Sequence, residues 1–166
     1  VFMEAGLDVK KSEVHGMAQR GGCVTSHVRY GRKVFSPLAL KSDVDILLAF
    51  EKLEALRYLD YLKADGSVII NDQEILPPSV NLGDLAYPAD VVAAVKSAFP
   101  STKVVRAEAL ARNAGNIRTV NTVLLGVLSS FLTGIDISIW EKVLKDSFPA
   151  KLTKVNLDAF HLGRSA

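Results

Sequence analysis

The amino-acid sequence predicts an α/β layered domain, with a mostly parallel sheet, an antiparallel hairpin or edge, and helices on both faces. Short unbroken apolar runs alternate with segments of helical periodicity, as in successive strand–helix–strand units. One other stretch alternates with a period of two, which is typical of a strand. The 166 residues are enough for one domain with a sizeable core, and they contain no internal repeat or interdomain linker.

The first strand–helix–strand unit begins with Asp45 to Phe50, DILLAF, an apolar run typical of a strand buried on both faces. A helix is predicted over residues 51–63. Its inward-facing positions are Leu53, Leu56, Leu59 and Leu62. Asp65 and Gly66 then predict a turn into a second buried strand, residues 67–71.

A second unit follows the first. Pro88 predicts the start of a helix that continues through Phe99, and Pro100 lies just beyond its end. Lys103 to Ala107, KVVRA, is the next predicted strand. Two such units in series favour a layered sheet with right-handed crossovers.

The alternating stretch runs from Val24 to Tyr30 and predicts a strand. Gly31 and Arg32 are predicted to turn the chain into residues 33–40, KVFSPLAL. We therefore expect a hairpin or an antiparallel edge beside the parallel sheet.

The last third of the chain is predicted to be mostly helical. One face of a long helix carries Ile117, Val120, Leu124, Val127, Leu128 and Phe131. Gly126 on this helix would permit close packing, while Asn121 either hydrogen-bonds in the interior or faces a site. Residues 138–148 predict another helix, and a tail from Lys151 is expected to dock on the core through Leu157 and Phe160.

The first six residues, VFMEAG, resemble the last turn of a helix that Gly6 ends. Val1 is not an initiator methionine. We expect a strand and the turn into this helix to precede Val1.

Composition excludes several classes of protein. The formal net charge of +2 carries no long basic run, which argues against a nucleic-acid binder. No apolar run approaches the roughly 18 residues that cross a bilayer. Cys23 is the single cysteine, which favours a reducing cytoplasm. The apolar content of 49% is high enough that we expect a subunit interface, and a homodimer of the isolated chain is one form of it.

The segment from Ser12 to Gly22, SEVHGMAQRGG, combines a carboxylate, an imidazole, an amide, a guanidinium and three glycines. Glycine backbone amides can approach an anion, and Arg20 offers a planar fork for phosphate or carboxylate. The alternative is a surface turn whose arginine is solvated or pairs with Glu13. Basic Arg29, Arg32 and Lys33 follow nearby and could also meet phosphates.

Ligands of open α/β sheets bind beyond the carboxyl ends of the strands. The residues that the sequence places at such ends are Glu13, His15, Phe50, Glu51, Asn71 and Asp72. The histidines and Cys23 lack the spacing of a metal site. Cys23 is either a nucleophile activated by Arg20 or a small residue that enters a strand. The sequence contains no hydrolase triad and no dinucleotide or P-loop glycine pattern.

The segments SEVHGMAQRGGCVTSHVRYG and DILLAFEKLEALRYLDYL, with PPSVNLG, AGNIRTVNTVLLG and NLDAFHLGR, resemble the gamma-type subunit of the 2-oxoacid:ferredoxin oxidoreductases. The likeness is greatest to the indolepyruvate branch, the beta subunit of indolepyruvate oxidoreductase, and covers nearly the whole chain. It implies a single Rossmann-like domain over residues 1–166 that here lacks the amino-terminal strand and glycine-rich turn of the family. Cys23 stands where the family more often has serine.

The resemblance implies oxidative decarboxylation of a 2-oxoacid to acyl-coenzyme A and carbon dioxide, with electrons passing to ferredoxin. It also implies that thiamine diphosphate, Mg²⁺ and the iron–sulfur clusters belong to a catalytic partner subunit, and that this chain alone binds no cofactor. A single cysteine is consistent with this expectation, since a cluster needs several thiolates. Coenzyme A is the co-substrate that this kind of domain helps to accommodate.

Residues that match the family motif form the predicted site. They are Glu13, His15, Gly16, Gln19, Arg20, Gly21 and Gly22. We expect them to form an interface loop that faces the partner's active site and contacts coenzyme A. Two other classes stay open: a free-standing nucleotide-binding module, and a purely structural subunit.

Overall fold

The computed structural model describes residues 1–15, 24–76, 80, 83 and 86–166, and for His15 the backbone alone. In this part of the chain β1 (Asp8–His15) and β2 (Val24–Gly31) pair antiparallel. A separate parallel sheet has the order β3 (Val44–Ala49), β4 (Leu62–Asn71), β5 (Thr102–Val105). The predicted α/β class, with a parallel sheet and an antiparallel pair, is confirmed.

Helices connect and cover the parallel strands. The described α-helices are α1 (Lys52–Arg57), α2 (Val91–Ala98), α3 (Ala107–Asn113), α4 (Val120–Phe131), α5 (Ile137–Ser147) and α6 (Ala150–Arg164). Short 3₁₀ turns at Leu59–Tyr61 and Ile117–Thr119 follow α1 and precede α4.

The central strand β4 explains why helices cover both faces of the sheet. Val68 and Ile70 are fully buried on one side, in a cluster with Ala55 of α1 and Val95 of α2. Ile69 lies on the opposite side, because successive side chains of a strand point to opposite faces. It packs in the larger cluster that α3, α4 and α6 build.

The predicted helix over residues 51–63 is wrong in its second half. α1 ends at Arg57, Leu56 is exposed, and Leu62 is the first residue of β4. Leu62 is buried in the cluster around α1 and α2 and pairs with Val44. Pairing with β3 therefore outweighs the helical preference of this leucine-rich segment. Helix propensity alone could not predict this pairing.

The predicted turn at Asp65 and Gly66 lies inside β4. Val44 pairs with Leu62 and Ile46 pairs with Ser67, so β4 carries extra residues against β3 at this point. A bulge of this kind leaves the extra residues out of the ladder. The turn signal in the sequence thus marks an irregularity within a strand, and the strand begins earlier than predicted.

The predicted helix start at Pro88 is wrong by one turn. Asp90 has a φ of 58°, in the left-handed region, and α2 begins at Val91. A left-handed residue interrupts a right-handed helix, so Pro88 lies in the preceding loop. The predicted end near Phe99 is confirmed, and β5 follows, although Ala107 begins α3 and does not belong to the strand.

The predicted partner of β2 is also wrong. Residues 33–40 form no strand, and β2 pairs along its whole length with β1, which sequence periodicity did not predict. The residues between β1 and β2, 16–23, lie outside the described residues. β1 carries mostly charged and polar side chains, DVKKSEVH, so it lacks the apolar signal of a strand.

The predicted helix over residues 138–148 is confirmed as α5, while the tail from Lys151 forms most of α6. Phe160 is fully buried as expected, and Leu157 is half-buried. Asn121 is exposed, so it does not hydrogen-bond in the interior. The buried polar pair is instead Thr122 and Asn156, where Thr122 Oγ1 donates to Asn156 Oδ1 at 2.7 Å.

The close packing predicted at Gly126 is confirmed. A Cβ at this position would overlap the carbonyl oxygen of Phe160 in α6. The arrangement is reciprocal, because a Cβ on Gly163 would overlap the carbonyl oxygen of Val123 in α4. The two glycines allow the backbones of α4 and α6 to touch at their crossing.

Gly6 has the predicted cap geometry, but residues 2–6 before β1 form a turn and not a helix. Gly6 has a φ of 77°, its amide donates to Met3 O at 3.0 Å, and the amide of Leu7 donates to Phe2 O at 3.0 Å. These two hydrogen bonds have the pattern of a Schellman cap.

Candidate functional site

The predicted site lies at and beyond the tip of the β1–β2 hairpin. Glu13 and His15 are on β1, where register pairs them with Ser26 and Val24 of β2. The other predicted site residues, Gly16, Gln19, Arg20, Gly21 and Gly22, lie outside the described residues. Cys23 lies outside them as well.

The expectation that Glu13 and His15 end a strand of the parallel sheet is wrong. β1 belongs to the separate two-stranded sheet, so the two residues do not share an edge with Asn71. Glu13 is exposed; Lys11 Nζ lies 2.8 Å from its Oε1, and Ser26 Oγ donates to the same oxygen at 3.3 Å. Its carboxylate therefore extends a polar strip along one face of the hairpin.

The opposite face of the hairpin rests on the segment that follows it. Arg29 Nη1 donates to Leu38 O at 3.2 Å, and its Nη2 lies 3.7 Å from Asp43 Oδ2. The amide of Ala39 donates to His27 Nδ1 at 3.1 Å. These contacts hold the hairpin against residues 38–43. They also pair Arg29 within the chain, although we expected from the sequence that Arg29 would be available to phosphates.

Apolar side chains are exposed on the hairpin and on the segment beside it. Val24 and Val28 are 55% and 51% exposed on one face of β2. Phe35 and Leu40, in the segment after the hairpin, are 89% and 71% exposed. Val24 and Val28, with Tyr30 (43% exposed), lie on the face of the hairpin opposite the one that contacts residues 38–43, and we refer to these three residues as the hairpin apolar surface. Several exposed apolar side chains on one face of a strand are characteristic of a surface that another protein covers.

The carboxyl edge of the parallel sheet is built around Asn71, which is 1% exposed. Its Nδ2 donates to Phe50 O at 3.1 Å and to Gln73 Oε1 at 3.0 Å. Its Oδ1 accepts from the amide of Ala107 at 3.2 Å. One amide side chain thus connects the ends of β3, β4 and β5, so its role is structural.

Asn71→Leu should destabilise the protein by about 2–3 kcal/mol, because it leaves a buried amide and a buried carbonyl without their partner. Leucine has a similar volume, so the effect reports the lost hydrogen bonds. Urea unfolding followed by circular dichroism measures the change. Asn121→Leu, on the exposed side of α4, is the matched control and should change stability little. Equal unfolding midpoints for the two variants would contradict this role.

Glu51, also at this edge, is buried and caps the amino terminus of α1. Its Oε2 accepts from the amide of Leu53 at 3.1 Å, and Tyr87 Oη donates to its Oε1 at 3.0 Å. Burial, together with this hydrogen bond to a carboxylate, raises the pKa of Tyr87 to about 12. Tyr87 therefore connects the loop before α2 to the end of β3. The sequence carries no signal for this contact, since the partners are 36 residues apart.

The raised pKa of Tyr87 predicts a loss of stability in alkali. The phenol is protonated in the folded state, so its contribution is complete below pH 10.0, its ordinary pKa, and is lost as pH rises toward about 12. The stability difference between the native chain and Tyr87→Phe should be constant at neutral pH and shrink over this window. Urea titrations at stepped pH test this. A difference that stays constant through pH 12 would be inconsistent with the Tyr87–Glu51 bond.

The described residues offer no evident metal centre, since they contain no group of three or more His, Cys, Asp or Glu side chains placed to hold an ion. No helix in the same part of the chain is long and apolar enough to cross a membrane.

Comparison with known proteins identifies the family. The model of the pyruvate ferredoxin/flavodoxin oxidoreductase family matches residues 1–166. This chain belongs to that family. The match confirms the resemblance seen in the sequence.

Relatives within the family share the full extent of the chain. Indolepyruvate oxidoreductase subunit IorB of Thermococcus kodakarensis is 40% identical over 169 residues, which is 99% of this chain and 83% of the relative. The subunit of the same name from Archaeoglobus fulgidus is 36% identical over 164 residues, 97% of this chain and 81% of the relative. The 2-oxoglutarate synthase subunit KorC of Methanothermobacter thermautotrophicus is 25% identical and covers 96% of this chain and 78% of the relative.

Two solved structures show the same fold. The gamma subunit of a keto/oxoacid ferredoxin oxidoreductase from Geobacter sulfurreducens superposes with a TM-score of 0.68 at 19% identity, covering 98% of this chain and 82% of that chain. The pyruvate oxidoreductase subunit PORC of Thermotoga maritima also gives 0.68 at 19% identity, covering 99% and 82%.

Proposed function

We propose that this chain is the subunit without redox cofactors of a cytoplasmic 2-oxoacid:ferredoxin oxidoreductase that acts on an aryl pyruvate such as indolepyruvate. The observation that carries the proposal is identity of 36–40% to indolepyruvate oxidoreductase subunits over nearly the whole chain. Relatives named for 2-oxoglutarate are only 24–25% identical, which favours the indolepyruvate branch.

The proposed reaction needs groups that a catalytic partner subunit supplies. The carboxylate of the 2-oxoacid leaves as carbon dioxide, the acyl group is transferred to the thiol of coenzyme A, and the released electron pair passes to ferredoxin. The partner would hold thiamine diphosphate, Mg²⁺ and iron–sulfur clusters, which would supply the chemistry of decarboxylation and electron transfer. Cys23 alone could not ligate a cluster, which fits this division of labour.

The role that we assign to this chain is an interface and a loop that contacts coenzyme A. The hairpin apolar surface supports the interface, because stable subunit contacts bury about 800 Å² on each side and have apolar centres. The occupant that we propose is the catalytic subunit of the same complex. The segment 16–22, which follows β1, would then extend toward the partner, with its glycine amides and Arg20 available to the phosphates of coenzyme A.

The isolated chain should show no oxidoreductase activity, whereas the complex with its partner should turn over. The test is reduction of a viologen dye or ferredoxin with indolepyruvate, thiamine diphosphate and coenzyme A, for the chain alone and after co-expression with the catalytic subunit. A panel containing phenylpyruvate, pyruvate and 2-oxoglutarate measures the preference by kcat/KM. Turnover by the chain alone, or a complex that prefers 2-oxoglutarate, would overturn the assignment.

A further inference from the structure

A shallow groove lies at the base of the hairpin, at the end opposite the tip. Its volume, which is largely open to solvent, is about 620 Å³. Met3, Leu7 and Val9 form an apolar part of its lining, and Lys10, Arg32 and Lys33 form a cationic part. A surface of this kind suits a ligand that has both an apolar body and an anionic end.

The charge of the groove is not balanced within the described part of the chain. Asp8 lines the groove too, but its Oδ1 lies 2.6 Å from Lys10 Nζ and its Oδ2 accepts from the amide of Val34 at 2.9 Å. Arg32 and Lys33 are both exposed, and neither forms a close salt bridge with the described residues, although the charge of Lys33 helps to lower the pKa of Asp8. The charged side chains that line the groove, Asp8, Lys10, Arg32 and Lys33, therefore sum to a net charge of +2.

Asp8 also holds in place the turn that carries Arg32 and Lys33. Its bond to the amide of Val34 holds the turn that contains Arg32 and Lys33 against the start of β1. The hydrogen bond from Lys10 holds the pKa of Asp8 below its ordinary value, so this carboxylate stays ionised at neutral pH. The hydrogen bond from the amide of Val34 to Asp8 therefore fixes the position of the turn that carries Arg32 and Lys33.

The groove lies at the start of β1, whereas the predicted site residues Glu13 and His15 lie near its end. β1 runs from Asp8 at the groove to His15 at the tip, a length of roughly 23 Å at the usual rise of a strand.

We infer that this groove binds the phosphate monoester group of an organic ligand. A phosphate monoester carries nearly two negative charges at neutral pH, which matches the net charge of +2 on the groove lining, and arginine and lysine are both common phosphate ligands. A carboxylate or sulfonate, with one negative charge, would leave one cation unbalanced. The apolar lining accounts for an organic body next to the phosphate.

The primary test titrates the full chain with phenyl phosphate by isothermal titration calorimetry, with benzenesulfonate as the singly charged analogue of similar shape. We expect phenyl phosphate to bind saturably and more tightly than benzenesulfonate. The double variant Arg32→Gln, Lys33→Gln should weaken phenyl phosphate binding at least tenfold. The double variant Arg118→Gln, Lys151→Gln removes two exposed cations elsewhere and should bind within twofold of the native chain. Absent binding, equal binding of the two ligands, or an equal effect of the two variants would overturn the inference.

The source of the phosphate is tested in the complex with the catalytic subunit. If coenzyme A supplies it, the groove variant should raise the KM for coenzyme A but leave unchanged the KM for dephospho-coenzyme A, which lacks the phosphate monoester on its ribose. If another organic phosphate supplies it, the variant should lose phenyl phosphate binding while both KM values stay unchanged. The calorimetry does not depend on turnover, so failure of the proposed enzymatic function would leave the groove test intact.

Discussion

Gly126→Ala is expected to destabilise the chain by about 3 kcal/mol, toward the upper end for overpacking. The added methyl group would overlap the backbone carbonyl of Phe160, and the amide of Arg164 lies 2.9 Å from the same Cβ position. Backbone atoms cannot rotate away as a side chain does, so α4 and α6 must separate. In a chain of this size, that loss corresponds to a fall in Tm of roughly 6–12 °C.

Polar contacts make this crossing hard to rearrange. Ser129 Oγ donates to Gly126 O at 2.6 Å, and Arg164 Nη1 donates to Ser129 Oγ at 2.8 Å. Thermal unfolding of Gly126→Ala and Gly163→Ala should show similar losses, since each methyl group meets the other helix. Gly134→Ala, where nothing lies within 4 Å of the added Cβ, is the matched control. A Gly126→Ala variant as stable as this control would show that the helices do not cross so closely.

Arg20→Ala is expected to harm the assembled enzyme far more than the fold. As a surface change it should cost about 0.5 kcal/mol in stability. If the guanidinium meets a phosphate or a partner carboxylate in a desolvated interface, its loss should cost roughly 2 kcal/mol, or about 30-fold, in assembly or in coenzyme A-dependent turnover. The physical reason is that truncation leaves the opposite charge buried without a partner.

Three measurements separate the two effects of Arg20→Ala. They are thermal unfolding of the isolated chain, affinity for the catalytic subunit, and kcat/KM for coenzyme A in the complex. Arg118→Ala, which removes an exposed arginine that the sequence does not place in the site, is the matched control. An Arg20→Ala complex that assembles and turns over like this control would reduce the segment 12–22 to a solvated turn.

Much of the layered architecture could be predicted from local sequence pattern. The apolar runs in β3 and in the second half of β4 predict strands because both faces of these segments pack against helices, so most of their residues are apolar. The periodicity of α4 and α5, and the glycines at Gly6 and Gly126, also have local physical causes. The family was recognisable as well, because its motifs are continuous in sequence.

The predicted site could be located only in part. The sequence placed Glu13 and His15 before a glycine-rich segment, and the structure puts them on a hairpin strand that leads to that segment. It does not describe Gly16, Gln19, Arg20, Gly21 or Gly22, so their role stays a prediction. The groove was not predicted, because it joins residues 3–10 to Arg32 and Lys33 through the antiparallel pairing of β1 with β2.

The sequence by itself determined the α/β class, the order of most elements and the family, because each depends on residues that are adjacent or regularly spaced. Only the tertiary structure decided which strand pairs with β2, where α1 gives way to β4, and that Tyr87 meets Glu51. Each of these outcomes is a contact between segments far apart in the chain. The free energy that favours such a contact comes from burial and hydrogen bonding between distant segments. The local propensities of the residues therefore do not predict the contact.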